Sequence, residues 1–184
     1  MSALVDDFNA PMFDSTRWDG SSSGTVGQTG GRGFIPCTSA YPAIGTAGTY
    51  DLTNAGAFVK MTTPPEGNGS REAFLQLFAN GDDQLQWQRS GSTLTPRYSA
   101  AGVWTDGPAL TYDAAAHAWW RIRHAAGNVV WETSADGLTW TNRWSVATPF
   151  PVTALSAYMI CGAWGSESAA NAYVDNFNVS PSST

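Results

Sequence analysis

At 184 residues the chain fits one domain of ordinary size, able to bury roughly 70% of its unfolded surface, so it needs neither a metal nor a disulfide as a staple. A net charge of −6 with a single lysine, Lys60, leaves no basic stripe to neutralise phosphates, so nucleic acid is not an expected partner and an anionic membrane surface is disfavoured. The 19 Gly, 10 Pro, 9 Trp and 6 Tyr suit short strands joined by tight turns, and no stretch carries apolar residues at i, i+3, i+4 and i+7, so helix content is expected to be small.

Taken in chain order, the start from Met1 to Asn9 has neither a positive n-region nor an apolar h-region, so no signal peptide is read there, and no segment reaches the length of a membrane span. Residues 4–8 read as a first strand and 172–179 as a last one, expected to pair and close the domain, with short arms at 1–4 and 180–184 ordered by partners. Residues 20–33 are Ser/Gly-rich and can only be loop or irregular edge. Residues 34–37 follow, and Pro36 argues for an edge position. Residues 57–61 form the next strand, ended by the turn cluster 64–69. Residues 72–79 are apolar on both faces and are expected to be central.

The turn Asn80-Gly81-Asp82-Asp83 leads into 85–89, where Leu85 and Trp87 alternate with Gln84, Gln86 and Gln88, so the glutamines share one outward row. Residues 94–98, 103–104 and 109–112 are short strands. Next comes a meander: Trp119-Trp120-Arg121-Ile122-Arg123, Val129-Val130-Trp131-Glu132-Thr133 and Leu138-Thr139-Trp140-Thr141, joined by two-residue loops at Ala126-Gly127 and Asp136-Gly137. That register sets Ile122 opposite Trp131 and Arg121 opposite Glu132, then Thr133 opposite Trp140 and Glu132 opposite Thr141. One face reads Trp120, Ile122, Val129, Trp131, Thr133, Leu138, Trp140 and packs inward. The other reads Arg121, Arg123, Glu132, Ser134, Thr139, Thr141, Arg143. Residues 154–164 add a long apolar strand. About a dozen strands without a repeat make an all-β, two-sheet antiparallel jelly-roll sandwich, a single domain over 1–184. Cys37 and Cys161 could make one disulfide; without a secretory signal they are expected free and buried.

Asp6-Asp7-Phe8-Asn9, Trp119-Trp120-Arg121-Ile122-Arg123, the run from Val129 through Asp136-Gly137 to Thr141, and the closing Val174-Asp175-Asn176-Phe177-Asn178-Val179 resemble concanavalin A-like (laminin G-like) jelly-roll domains. The version they resemble is that of phage structural proteins and of secreted proteins of high-GC bacteria. The resemblance covers the last third and the N-terminus and implies fold more than activity, since its residues are core aromatics and a turn. Lectins, carbohydrate-binding modules, glucanases and virion proteins share this superfamily. Residues 134–140 also resemble the Asp-box turn of sialidases with one residue missing, itself a structural turn in which Asp136 bonds the backbone.

A retaining glucanase of this fold sets carboxylates on alternate residues of one strand, because nucleophile and acid/base stand about 5–5.5 Å apart on one face. The family's Glu-x-Asp-x-x-Glu is absent. The glutamates are Glu66, Glu72, Glu132 and Glu167, and the same-face neighbours of Glu132 are Val130 and Ser134. Glu132 is expected in a cross-strand ion pair, with Arg121 directly and Arg143 diagonally. His117 and His124 suggest no metal pair, and no Ser-His-Asp arrangement can be argued. No catalytic residue and no enzyme are therefore expected.

Asn80, Asp82 and Asp83 offer oxygen ligands to a structural calcium ion, against the alternative of a solvated hairpin turn; Asp7 and Asp175 at the junction of first and last strands come second. No other cofactor is expected. Sugar binding needs an aromatic face and nearby amides or carboxylates. The candidates are Trp119 on the outer face, the loop residues Trp18, Trp104 and Trp164, and the row Gln84, Gln86, Gln88. Arg121, Arg123 and Arg143, three of the eight arginines, put a cationic outer face beside Trp119 that invites an acidic protein neighbour.

The first expectation is a non-enzymatic phage virion structural protein, a capsid decoration or minor tail component. It would assemble in the host cytoplasm with other virion proteins, as a homo-oligomer or in a symmetric assembly, leave by lysis, and adhere to cell-surface polysaccharide. The alternative is a carbohydrate-binding lectin or module; a glycoside hydrolase stands third.

Overall fold

The computed structural model describes residues 1–22, 25–64 and 69–181. Glu66, most of the expected 64–69 turn cluster and residues 182–184 of the expected C-terminal arm lie outside the described residues.

Fifteen strands are found among the described residues, and no helix. They are β1 (Trp18–Ser22), β2 (Gly27–Thr29), β3 (Arg32–Pro36), β4 (Ala43–Thr46), β5 (Gly56–Thr62), β6 (Arg71–Phe78), β7 (Gln84–Ser90) and β8 (Thr93–Ala100). After them come β9 (Val103–Asp106), β10 (Leu110–Thr111), β11 (Trp119–Ala125), β12 (Asn128–Ser134), β13 (Thr141–Ala147), β14 (Ser156–Ala163) and β15 (Asn171–Asp175). One sheet runs β1-β4-β14-β6-β7-β8-β10 with β9 on β8; the other runs β13-β12-β11-β5-β15-β3-β2. Neighbouring strands are antiparallel throughout. Alternation decides which side of each strand is inside. On β6, Ala73, Leu75 and Leu77 are fully buried while Glu72, Phe74, Gln76 and Phe78 are half-buried on the other side. Residues 72–79 are thus central in order, as expected, but one of their faces is open.

The core between the sheets is built on tryptophan. Trp87, Trp120 and Trp131 are fully buried, and a buried indole N–H needs an acceptor. Trp87 Nε1 donates to the Arg121 carbonyl at 3.0 Å and Trp131 Nε1 to the Gln86 carbonyl at 2.9 Å, so β7 and the β11–β12 hairpin exchange indole hydrogen bonds across the sandwich.

The first turn of the meander forms as read. Ala126 (φ 49°) and Gly127 (φ 75°) both adopt the left-handed region, as a primed two-residue turn requires, and the register sets Arg121 against Glu132 and Ile122 against Trp131. The second turn differs. Ser134 Oγ donates to Asp136 Oδ1 and accepts the Gly137 N–H, while Asp136 Oδ1 accepts the N–H groups of Leu138 and Thr139, each at 2.8 Å. Side-chain bonding of this kind closes a six-residue loop, 135–140, in place of a two-residue hairpin. Thr133 then faces Thr141 and Glu132 faces Asn142, with a bulge between Trp131 and Glu132. Two inward assignments are overturned as a result. Leu138 is exposed, and Trp140 lies under the Arg121 guanidinium, 4.0 Å from ring centroid to Cζ, on the outer face.

These bonds have a pH signature. The N–H groups of Thr139 and Leu138 and the Ser134 hydroxyl hold Asp136 down to about 2 from its ordinary 3.8. A depressed carboxylate contributes above its unfolded value and loses that contribution as pH falls through the folded one. The amides of Leu138 and Thr139 are therefore expected to stay protected at pH 4 and to lose protection between roughly pH 4 and 2, read by amide exchange. Asp136→Asn should remove that acid step.

Other expectations need correction. Met1 and Leu4 are buried in the chain's own core, and the terminal ammonium donates to the Asp51 carbonyl, so residues 1–4 are no free arm awaiting a partner. Residues 4–8 make one bridge, Asp6 to Phe177, in place of a strand. The Ser/Gly-rich stretch contributes β2 and the end of β1 as short edge strands. β3 lies second from the edge, with Pro36 tolerated at its last position. Cys37 and Cys161 are bridged, joining the end of β3 to β14 and so one sheet to the other. Spacing could not reveal this pair, since 124 residues separate the cysteines and only the stacking of the sheets brings them together.

Candidate functional site

The open face of the eight-stranded sheet gathers polar and aromatic side chains in rows fixed by register. Directly paired residues share a face, so one row reads Gly45, Tyr158, Gln76, Gln86, Arg97, Asp106. The next reads Ala43, Ile160, Phe74, Gln88, Thr95; a third reads Ser156, Phe78, Gln84, Ser99, Trp104. Glu72 lies on the fourth, between Gly162 and Ser90.

A chain of hydrogen bonds crosses these rows. Tyr41 Oη donates to Glu72 Oε2 at 2.7 Å and Gln88 Nε2 to Glu72 Oε1 at 3.0 Å. Arg97 donates to Gln88 Oε1 at 2.6 Å, pairs with Asp106 at 2.9 Å, and stacks on the Trp104 ring at 4.2 Å. Gln76 and Gln86 both donate to Gln84 Oε1. The glutamines have the outward parity read for them, but Gln86 is buried, and the row is part of a network rather than a merely solvated surface. Burial, and then the Glu72 carboxylate, push the Tyr41 phenol well above its ordinary value, so it stays a donor.

Two cavities open here. One of about 240 Å³ is lined by Tyr41, Ala43, Gln76, Phe78, Tyr158 and Ile160. The other, about 680 Å³, is lined by Thr38, Ser39, the exposed Trp164, Ser166, Glu167 and Ser168 among others. The cross-strand partner of Glu72 is Gly162, which lies in sequence between Ile160 of the first lining and Ala163 of the second. The loop carrying Trp164 is clamped. Glu167 accepts from the Ser70 hydroxyl at 2.8 Å, and Arg71 donates to the Ser168 carbonyl and hydroxyl at 2.9 Å each.

Of the residues singled out in the sequence, this face brings together Gln84, Gln86, Gln88 and Trp104, with Trp164 at its end. The others lie elsewhere. Trp18 is core, its Nε1 donating to Asp6. Trp119 has the outward parity expected but is only 3% exposed, because the 135–140 loop folds back and sets Gly137 against its ring. Arg121 and Arg123 both bind Glu132 Oε2, at 2.6 and 2.8 Å, whereas Arg143 bonds the Thr133 hydroxyl, so the diagonal partner of Glu132 is Arg123. Asn80 Oδ1 accepts the N–H groups of Asp82 and Asp83, and Asp83 Oδ1 accepts that of Ala101, which commits much of the turn's oxygen to its own backbone. Among the described residues no three His, Cys, Asp or Glu side chains gather as a metal-ligand group.

Sequence reasoning missed Tyr41, Glu72, Gln76, Phe78 and Tyr158. The signal for three of them was the alternation Glu72-x-Phe74-x-Gln76-x-Phe78, read as apolar on both sides when it marks an open face.

No family model matches the sequence, and no curated protein matches it. Solved structures do. A Bacillus licheniformis β-glucanase superposes with a TM-score of 0.71 at 15% identity, covering 94% of this chain and 96% of that one. A transglycosylase in complex with NAG gives 0.73 at 17%, covering 94% and 81%, and a glycosyl hydrolase family protein from Mycobacterium fortuitum gives 0.73 at 11%, covering 94% and 96%. The fold is therefore the all-β, concanavalin A-like jelly roll.

This likeness corrects the expected function. The expectations of a non-enzymatic virion component and of no enzyme are corrected by this finding, since the solved structures sharing the fold include a β-glucanase, a transglycosylase and a glycosyl hydrolase family protein. Glu132 stands on the seven-stranded sheet, where two arginines neutralise it, whereas Glu72 stands on the open face of the eight-stranded sheet.

Proposed function

We propose that the chain is a carbohydrate-active protein that takes an extended glycan across the open face of the eight-stranded sheet. The observation that carries this reading is the cross-strand network Tyr41–Glu72–Gln88–Arg97–Asp106 flanked by Tyr158, Phe78 and Trp104 on the same face. Amides and a carboxylate supply partners for hydroxyls, and rings supply flat surface for the apolar side of a pyranose. The glucanase fold supports the same reading by analogy. Chemistry on the bound chain would centre on Glu72, the carboxylate held by Tyr41 and Gln88.

Titration with mixed-linkage β-glucan and with N-acetylglucosamine oligosaccharides, beside a reducing-sugar assay on the same substrates, tests this. Tyr158→Ala and Trp104→Ala are each expected to weaken binding about tenfold, roughly 1.4 kcal/mol. Trp119→Ala should leave affinity unchanged while lowering the unfolding midpoint, since its ring is covered. Where reducing ends are released, Glu72→Gln should abolish the release. Neither binding nor release with any glycan would overturn the reading.

A further inference from the structure

We infer that Tyr41 is a specificity-determining positioning residue, held by a strained strap so that its phenol fixes the Glu72 carboxylate for a neutral sugar ring. This rests on the glycan reading above and adds a residue and a substrate class to it.

The backbone of Tyr41 stands at φ +51°, the left-handed region that a bulky side chain seldom occupies. Pro42 follows, and a residue before proline is normally pushed to extended conformations. Such a conformation persists only where its surroundings enforce it, and here they do. The strap 37–42 lies along the end of β14: the Ala163 N–H donates to the Thr38 carbonyl at 3.1 Å and the Cys161 N–H to the Pro42 carbonyl at 3.3 Å. The Cys37–Cys161 disulfide anchors its start. A tight turn then closes it, with the Tyr41 N–H on the Thr38 carbonyl at 3.1 Å.

The seat for the ring is made by a missing side chain. A Cβ on Gly162 would stand 2.1 Å from Tyr41 Cδ1, so the phenol lies in space that only glycine leaves open. From there its hydroxyl reaches Glu72 at 2.7 Å, and Gln88 holds the other carboxylate oxygen. A carboxylate has about four acceptor positions, so two donors orient it and leave two for sugar hydroxyls. Arg97 is committed to Asp106 and Gln88, so a uronate at this place would meet an anion without an added cation. The class that fits is a neutral glycan.

The test is a double-mutant cycle on the neutral oligosaccharide that the wild-type protein binds, with Tyr41→Phe, Glu72→Gln and the pair together. Tyr41→Phe is expected to lose about tenfold in affinity alone and less than twofold in the Glu72→Gln background. Gly162→Ala, which keeps the hydroxyl but displaces it, should lose a comparable factor. Replacing one sugar by its uronate should cost wild type at least tenfold. Thermal melts confirm that each variant is folded. Equal losses in both backgrounds, no loss at all, or uronate bound as tightly as the neutral chain would each overturn the inference while leaving the glycan reading in place. Failure of the wild-type protein to bind any glycan would remove both.

Discussion

Replacing Trp131 by alanine is expected to lower the unfolding free energy by about 3–5 kcal/mol, a third or more of what a domain of this size holds. The side chain is fully buried, its ring centroid stands 4.8 Å from that of Trp144, and its indole N–H donates to the Gln86 carbonyl across the sandwich at 2.9 Å. Alanine leaves a cavity and removes the indole donor from the buried Gln86 carbonyl. Trp131→Phe separates the two effects: most of the volume stays, the Gln86 carbonyl loses the indole donor, and roughly 1–3 kcal/mol should go. Urea unfolding followed by tryptophan fluorescence checks both. An alanine variant within 1 kcal/mol of wild type would mean that the cross-sheet indole bonds do not hold the sheets together.

Converting Cys37 and Cys161 together to alanine is expected to cost about 2–5 kcal/mol, toward the upper end. The bridge closes a separation of 124 residues, and the chain entropy removed from the unfolded state grows with loop length. Both residues are buried, so reductant without denaturant should act slowly, and reduction should accelerate once urea opens the core. The measurements are the unfolding midpoint of the double variant and the rate of thiol labelling against urea. A midpoint unchanged from wild type would sink the prediction. Since the same bridge anchors the strap carrying Tyr41, the double variant should also bind neutral glycan more weakly under conditions where it stays folded.

The two turns of the meander show what kind of information local sequence carries. At Ala126-Gly127 the decisive contacts lie within the hairpin: two residues that tolerate positive φ, and flanking strands whose alternation allows one register. At Asp136-Gly137 the same dipeptide signal was present, yet Ser134 and Asp136 closed a longer loop with their side chains, and that moved Trp140 to the opposite face. Parity survived where burial did not. Trp119 sits on the face its alternation assigns but is roofed by a loop that the strand pattern cannot see.

The candidate site was legible only in fragments. The shared parity of Gln84, Gln86 and Gln88 was readable because alternation is a local property. Glu72 gained its meaning from β14, β7 and the 37–42 strap, whose residues lie up to 90 positions away, and Tyr41 from a backbone conformation that no side-chain pattern announces.

By itself the sequence determined an all-β sandwich, the inward and outward sides of most strands, and the pairing of Glu132 with Arg121, because period-two alternation and tight turns are settled between near neighbours. Only the tertiary structure decided the order of the strands, the disulfide between sheets, and which of two outer faces gathers Tyr41, Glu72 and Tyr158. Those depend on which distant strands lie side by side, and that is fixed by burying both inner faces at once rather than by any segment alone.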